Sequence, residues 1–256
     1  MRIDNRAYDQ LRSIRITPGV SEFAEGSALV EFGKTKVMCT ASYDPKPPSW
    51  LQGSGKGWVT AEYGMLPRST HQRMKRDKVA GGGRTQEISR LIGRSLRAAI
   101  NLKALNEKQI LIDCDVLHAD GGTRTAAITG GFVALALALK KLHDLGEIKS
   151  LGLKNYIAAV SVGMSVGVDS GTGLGLAASK PLLDLNYEED STISTDMNFV
   201  MTDTGQFVEI QGTGEDTPFS REELMQMMDL ADKGCKKLFA AQAEIVGSFL
   251  PLRIKT

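Results

Sequence analysis

Residues 126–142 (AAITGGFVALALALKKL) are apolar on nearly every side of a helical wheel. A helix without a polar stripe has no face to give to water, so it must lie at the centre of the fold with other elements around it. Gly130 and Gly131 interrupt this run. They weaken the helix unless they are there to let another element approach closely. The 256 residues of the chain can surround such a helix with a sizeable core, and a single domain over residues 1–256 is expected. No stretch holds eighteen consecutive apolar residues, so no membrane span is expected. The first residues, MRIDNRAYDQLRSIRITPG, are polar and charged and have no apolar signal region. Cys39, Cys114 and Cys235 are far apart in sequence and lack metal-ligand spacing; buried free thiols in a reducing compartment are expected. A cytoplasmic location follows as an expectation.

The elements around the central helix form a mixed pattern. Strands are expected over 27–32 and 36–42, with Gly33 and Lys34 turning between them, and over 58–63 (WVTAEY), which alternates. Residues 45–57 are a Pro-, Gly- and Ser-containing loop, and 68–83 a basic loop ending in Gly81-Gly82-Gly83. A helix capped by Thr85 follows, with Ile88, Leu91, Ile92, Leu96, Ala99 and Ile100 as its apolar stripe and Arg90, Arg94 and Arg97 on another face. A strand over 110–117 leads into the central helix. Further strands are expected over 156–168, 182–187, 197–202 and 207–211, with a Gly-, Ser- and Ala-rich connector over 169–180. A last helix opens on the capping box Ser220-x-x-Glu223 and runs to about Val246. Strands, helix, strand, helix, strands, helix is an α+β order, not a strict βα alternation.

Charge separates along the chain. Arg68, Arg73, Lys75, Arg76, Lys78, Arg84, Arg90, Arg94 and Arg97 face only Asp77 and Glu87 in residues 67–97. Residues 181–220 contain no Lys or Arg but carry Asp184, Glu188, Glu189, Asp190, Asp196, Asp203, Glu209, Glu215 and Asp216. One anion site and one cation site on the same protein would use both blocks. The turn Asp120-Gly121-Gly122-Thr123-Arg124-Thr125 is a small-anion cradle: two glycines let backbone N–H groups converge, a helix start presents unpaired donors, and Arg124 adds a guanidinium fork. It lacks the Gly-Lys-Ser/Thr ending of a nucleotide P-loop, and a plain tight turn remains the alternative. Arg84, after the triple glycine, would supply a second guanidinium. Glu188, Glu189, Asp190 and Asp196 form an oxygen-rich set suited to Mg²⁺ held with substrate phosphate and water, or else an acidic loop in water. Arg68, Arg73 and Arg76 are spaced for phosphodiester contacts, or else belong to a charged surface loop. His71 and His118 are candidate acid–base groups. Gly171 to Gly175 (GTGLG) reads as a hairpin connector.

The wording of these motifs, in order, resembles the bacterial ribonuclease PH family. The resemblance is carried by Leu66-Pro67-Arg68-Ser69-Thr70, Gly83-Arg84-Thr85-Gln86-Glu87, Gly93-Arg94-Ser95-Leu96-Arg97, Ile112-Asp113-Cys114-Asp115, Ala119 to Thr125, Asn186-Tyr187-Glu188-Glu189-Asp190-Ser191, Asp196-Met197-Asn198 and Gln211-Gly212-Thr213. It implies a ribosomal protein S5 domain 2-like α+β fold, copies arranged as a hexameric ring, and phosphorolytic 3′-to-5′ trimming of tRNA precursors with inorganic phosphate as co-substrate. By the same resemblance Arg84, Gly122, Thr123 and Arg124 hold phosphate. Asp190 and Asp196 bind Mg²⁺ and support catalysis, and Arg68, Arg73 and Arg76 guide RNA. A non-catalytic RNA-binding ring subunit of exosome type is the alternative that shares the fold. Two departures from the family pattern stand out: His118 in place of the usual Gln, and a long connector over 165–179.

Overall fold

The computed structural model describes residues 2, 4–75, 82–165, 180–214 and 218–253. The chain opens with strands β1 (Ile14–Pro18), β2 (Gly26–Phe32), β3 (Thr35–Asp44) and β4 (Trp58–Met65). Helix α1 (Gly83–Ala98), strand β5 (Gln109–His118) and helix α2 (Thr123–Asp144) follow. The second half contains β6 (Ile157–Met164), β7 (Pro181–Leu183), a single turn α3 (Tyr187–Asp190), β8 (Thr195–Thr202), β9 (Phe207–Gly214) and α4 (Arg221–Val246).

Two sheets result. The first has the order β1-β2-β3-β5-β4, antiparallel except for the β4–β5 pair, which is parallel because α1 carries the chain back over the sheet. The second is an antiparallel sheet of order β7-β6-β8-β9. Helix α2 lies between them, packed on β2, β3 and β5 on one side and on β6 on the other, with α1 and α4 at its flanks. By length and composition α2 could cross a membrane, but most of it is buried inside the protein. Its all-round apolar surface is matched by a neighbour on every side. β6 (IAAVSVGM) is buried along its whole length for the same reason.

The glycines of α2 are contact points. A Cβ on Gly130 would sit 2.7 Å from Val30 Cγ1 and 2.9 Å from Cys39 Sγ. From the other partner, a Cβ on Gly26 of β2 would lie 2.1 Å from the Ala134 carbonyl oxygen. The backbones of β2 and α2 therefore touch, and the helix cost of glycine, about 1 kcal/mol, is offset by that approach. Cys39 and Cys114, distant in sequence, stand opposite each other across β3 and β5. All three cysteines are buried free thiols, and burial pushes the Cys235 thiol up.

Several boundaries differ from the sequence expectation. Gly82, not Thr85, is the N-cap of α1. The strand expected over 182–187 stops at Leu183, because Asn186 and Glu189 form a capping box that starts α3. β1 was not expected; Ile14 and Ile16 alternate with polar residues in a short edge strand beside β2. The Ser220–Glu223 capping box and the end of α4 at Val246 are found where the sequence puts them. GTGLG and most of the 165–179 connector fall outside the described residues. Replacing Gly26 by Ala should lower stability by about 1–3 kcal/mol through overpacking. Urea unfolding would register this as a lower midpoint at unchanged slope.

Candidate functional site

α1 and α2 begin in the same unusual way. Each has a glycine N-cap with no side-chain hydrogen bond, no acidic residue in the first turn, and an arginine as the second helical residue: Arg84 in α1 and Arg124 in α2. Helix starts normally favour acidic side chains, because the unpaired N–H groups and the helix dipole are positive there. Two uncapped ends with arginines are arranged for an external anion. Gly121 and Gly122 lead into α2 with φ of 72° and 64°. A Cβ on Gly121 would lie 2.5 Å from the Leu185 carbonyl oxygen, so the position needs glycine for both its dihedral and its space.

Both helix ends open on one cavity of about 640 Å³. Arg84, Gly122, Thr123 and Arg124 line one wall; Asp190 and Asp196 line the other. The acidic wall comes from the second sheet. Asp196 and Asn198 project from the same face of β8, two residues apart, and Asn198 is in register with Ser161 of β6, which also lines the cavity. Asp190 closes α3. The third element is the loop after β4, which contributes Thr70, His71, Gln72 and Met74.

Arg124 is aimed by its neighbours: Nη1 donates to Gln211 Oε1 of β9 at 3.0 Å and lies 3.7 Å from Glu87 Oε1 of α1. Tyr63, on β4, shares a hydrogen bond with Thr123 Oγ1 at 2.8 Å. Burial pushes the Tyr63 phenol up in pKa, against the opposing pull of Thr123, Arg84 and Arg124, so it stays protonated near neutral pH and can donate to Thr123. Arg94 bridges α1 to β9 through Glu209 at 2.9 Å. The basic and acidic blocks therefore meet in space.

Not every member of those blocks takes part. Glu189 turns away from the cavity and is buried against Arg2 at 2.6 Å and Arg6 at 3.3 Å; its carboxylate is used by the core and is not available to a cation. Arg68 is exposed and donates to the His71 carbonyl at 2.9 Å, fixing the loop, and Arg73 is exposed beside it. Arg76 lies outside the described residues. His71 lines the cavity with its ring 6.2 Å from that of Tyr187, whereas His118 is exposed at the end of β5. Sequence reasoning missed Tyr63, Asn198, Gln211 and Tyr187. Asn198 alone had a signal, its two-residue spacing from Asp196 on a strand.

The donor set suits a hard cation. Asp190 and Asp196 supply two carboxylates and Asn198 an amide oxygen, while no group of three or more His, Cys, Asp or Glu side chains able to hold a metal occurs among the described residues. Magnesium is commonly held in this way, by one or two carboxylates with water and substrate phosphate completing the shell. A larger neighbouring cleft, about 920 Å³, is lined by Glu62, Asp113 and Asp115. Burial, then Glu62 and Asp115, push the Asp113 carboxyl up. Those carboxylates disfavour a bound anion, so the smaller cavity is the candidate site.

Gly121→Ala should disable the cradle, because it strains a positive φ and drives a methyl into the Leu185 carbonyl. The expected result in thermal unfolding is that millimolar inorganic phosphate raises the midpoint of the parent chain but not of the variant.

Comparison with known proteins places the chain in a family. Residues 10–141 match the model of the 3′ exoribonuclease family, domain 1, and residues 155–234 match domain 2 of the same family. The chain is 67% identical to a ribonuclease PH of Bdellovibrio bacteriovorus, covering 96% of this chain and 97% of that one. It is 53% identical to a ribonuclease PH of Bacillus pumilus over 98% of this chain and 100% of the relative. Among solved structures, the Archaeoglobus fulgidus exosome with RNA bound to the active site superposes with a TM-score of 0.74 at 24% identity, over 93% of this chain and 91% of that one; at that identity the likeness is one of fold.

Proposed function

The chain belongs to the ribonuclease PH type of 3′ exoribonuclease, and from that premise we propose how its cavity carries out phosphorolysis. The protein is a phosphate-dependent 3′ exoribonuclease and tRNA nucleotidyltransferase that binds RNA. The reading of its site rests on one observation: Arg84, Arg124 and the uncapped start of α2 face Asp190 and Asp196 across a single cavity.

In the reaction an oxygen of inorganic phosphate bonds to the phosphorus of the 3′-terminal linkage. The bond from that phosphorus to the 3′ oxygen of the preceding nucleotide breaks, the terminal nucleotide leaves as a nucleoside diphosphate, and the shortened RNA takes a proton on its new 3′ hydroxyl. Phosphate is an oxyanion near neutral pH, so the nucleophile needs no strong general base. The main obstacle is bringing two anions together. In our reading Arg84, Arg124, Thr123 and the N–H groups at Gly122 and the start of α2 hold the phosphate and offset its charge. Asp190 and Asp196, with Asn198 beside them, would hold Mg²⁺, which when bound supplies positive charge at the scissile phosphate and leaving oxygen. Gln211 and Glu87 aim Arg124, and Tyr63 orients the Thr123 hydroxyl. Arg68, Arg73 and Arg76 guide the RNA, and the exposed Tyr187 ring offers a stacking surface to a base of any identity.

Assembly as a hexameric ring and a cytoplasmic location belong to the same proposal; light scattering on the purified chain measures the first. Incubation of a 3′-extended tRNA with the protein and Mg²⁺ should release nucleoside diphosphates only when phosphate is added; monophosphates released without phosphate would reject the site reading. Asp196→Asn should lower kcat by about a hundredfold or more. Arg124→Ala should raise the KM for phosphate by about tenfold or more.

A further inference from the structure

Behind the phosphate loop lies a buried arginine that the reaction does not touch. Arg12, just before β1, is 6% exposed. Its backbone N–H and Nε donate to Asp184 Oδ2 at 2.8 and 3.0 Å, and Nη2 donates to Asp184 Oδ1 at 2.7 Å. The rest of the guanidinium faces the loop: Nη1 donates to the Asp120 carbonyl, and Nη2 reaches the Gly121 carbonyl at 3.4 Å. Thr35 completes the grip. Its hydroxyl donates to the Gly121 carbonyl at 2.7 Å and accepts from the Asp120 N–H at 2.9 Å. The stem of Arg12 is set against the β2–β3 turn, where a Cβ on Gly33 would lie 2.9 Å from Arg12 Cδ.

Asp184 is itself unusual. It is fully buried and has φ of 55°, the left-handed region that is uncommon for any residue but Gly, although Asn and Asp enter it more readily than most. Such strain persists only where the surroundings over-determine the conformation, and it concentrates near functional sites. Here the surroundings are the Ser161 carbonyl, which accepts the Asp184 N–H at 2.7 Å, and Arg6 and Arg2, which donate to the Asp184 carbonyl at 3.0 and 3.2 Å. Arg2 and Arg6 also hold Glu189, the residue next to Asp190. One buried charge cluster thus grips both the phosphate loop and the turn that carries Asp190.

The consequence for the loop follows from the peptide bond. In a trans peptide the C=O and N–H point in opposite directions. The Asp120 and Gly121 carbonyls are drawn onto Arg12 and Thr35, so the N–H groups of Gly121 and Gly122 point away from them, and both glycines line the cavity. We propose that Arg12, locked by Asp184, is a positioning residue for inorganic phosphate, holding the loop carbonyls back so that the Gly121 and Gly122 N–H groups are presented to the anion. This rests on the phosphate reading given above. It adds a reason why a carboxylate remote from the reacting atoms is kept in a strained conformation. The arrangement is formed before the anion arrives, so binding does not have to reorder the loop.

The test compares full-length variants in steady-state phosphorolysis of a 3′-extended tRNA, varying phosphate and RNA separately, with inorganic phosphate binding measured by calorimetry. Asp184→Asn keeps shape and tolerates the left-handed backbone while removing the charge. Arg12→Lys keeps the charge but not the fork. Thr35→Val removes only the second grip and leaves the buried ion pair intact, so it serves if the ion-pair variants do not fold. Asp184→Asn and Arg12→Lys, which alter a charge-assisted contact, should raise the KM and Kd for phosphate by about tenfold, and Thr35→Val, which removes a neutral one, by about fivefold, with the KM for RNA changed by less than about twofold. Folded variants whose phosphate KM stays within about twofold of the parent, even with a lowered melting temperature, would show a purely structural clasp and overturn the proposal. Arg124→Ala separates the two levels. If it raises the phosphate KM while the clasp variants do not, only the positioning role falls; if it too has no effect, the phosphate assignment falls with it.

Discussion

Everything in this protein is built around a helix that must not meet water. α2 has no polar face along most of its length, so both sheets and two other helices are needed to cover it, and each is held by what α2 offers locally. Gly130, with Gly26 facing the helix from β2, brings the first sheet to backbone contact. On the other side Thr129 Oγ1 accepts the Ala159 N–H of β6 at 3.2 Å, and Gln242 of α4 donates to the Thr129 and Ile157 carbonyls, both at 2.9 Å. Only the two ends of α2 emerge. Its C-terminal end carries Lys140, Lys141 and His143, which suit the negative pole of the helix. Its N-terminal end has no cap, and that end is where the site forms. The same burial that organises the core thus delivers a positive helix pole to the seam between the sheets.

At that seam the electrostatics are arranged in two layers. The outer layer is open: two arginines at helix starts on one wall and two carboxylates on the other. Arg124 is held by Gln211 and, more distantly, by Glu87. The inner layer is closed: Arg2, Arg6 and Arg12 are paired with Asp184 and Glu189 and largely shielded from water. Buried ion pairs are a poor route to stability, because desolvation offsets their attraction. Their value here is geometric, since they fix the loop of the first sheet against the turn of the second, and a site with walls on separate sheets needs that.

Much of this was legible in the chain because it is governed by local rules. The all-round apolar run of α2, the alternation in β4, the Ser220–Glu223 box and the glycine pair before Thr123 each announce an element through residues close in sequence, and all are found. The misses share a different cause. Thr85 has the chemistry of an N-cap, yet the cap is Gly82, three residues earlier. The strand expected over 182–187 ends early because Asp184 turns left-handed, held by Arg2, Arg6, Arg12 and the Ser161 carbonyl, ahead of the capping box that starts α3. Glu189 is part of a run of acids in sequence, but the arginines that claim it come from the first residues of the chain.

By itself, the sequence determined that a buried helix would be wrapped by strands, that its start would be a glycine-flanked turn, and that basic and acidic blocks would exist to be brought together. These depend on periodicity, dihedral preference and net charge, which are properties of short stretches. Only the tertiary structure decided which arginine lines the cavity and which is buried, which carboxylate lines the cavity and which pairs inside, and that Tyr63, Asn198 and Gln211 lie at the site at all. Arg12 and Arg124 are chemically the same residue. Their surroundings differ because the segment before β1 places one behind the loop and α2 places the other at the cavity, and that depends on how distant segments pack.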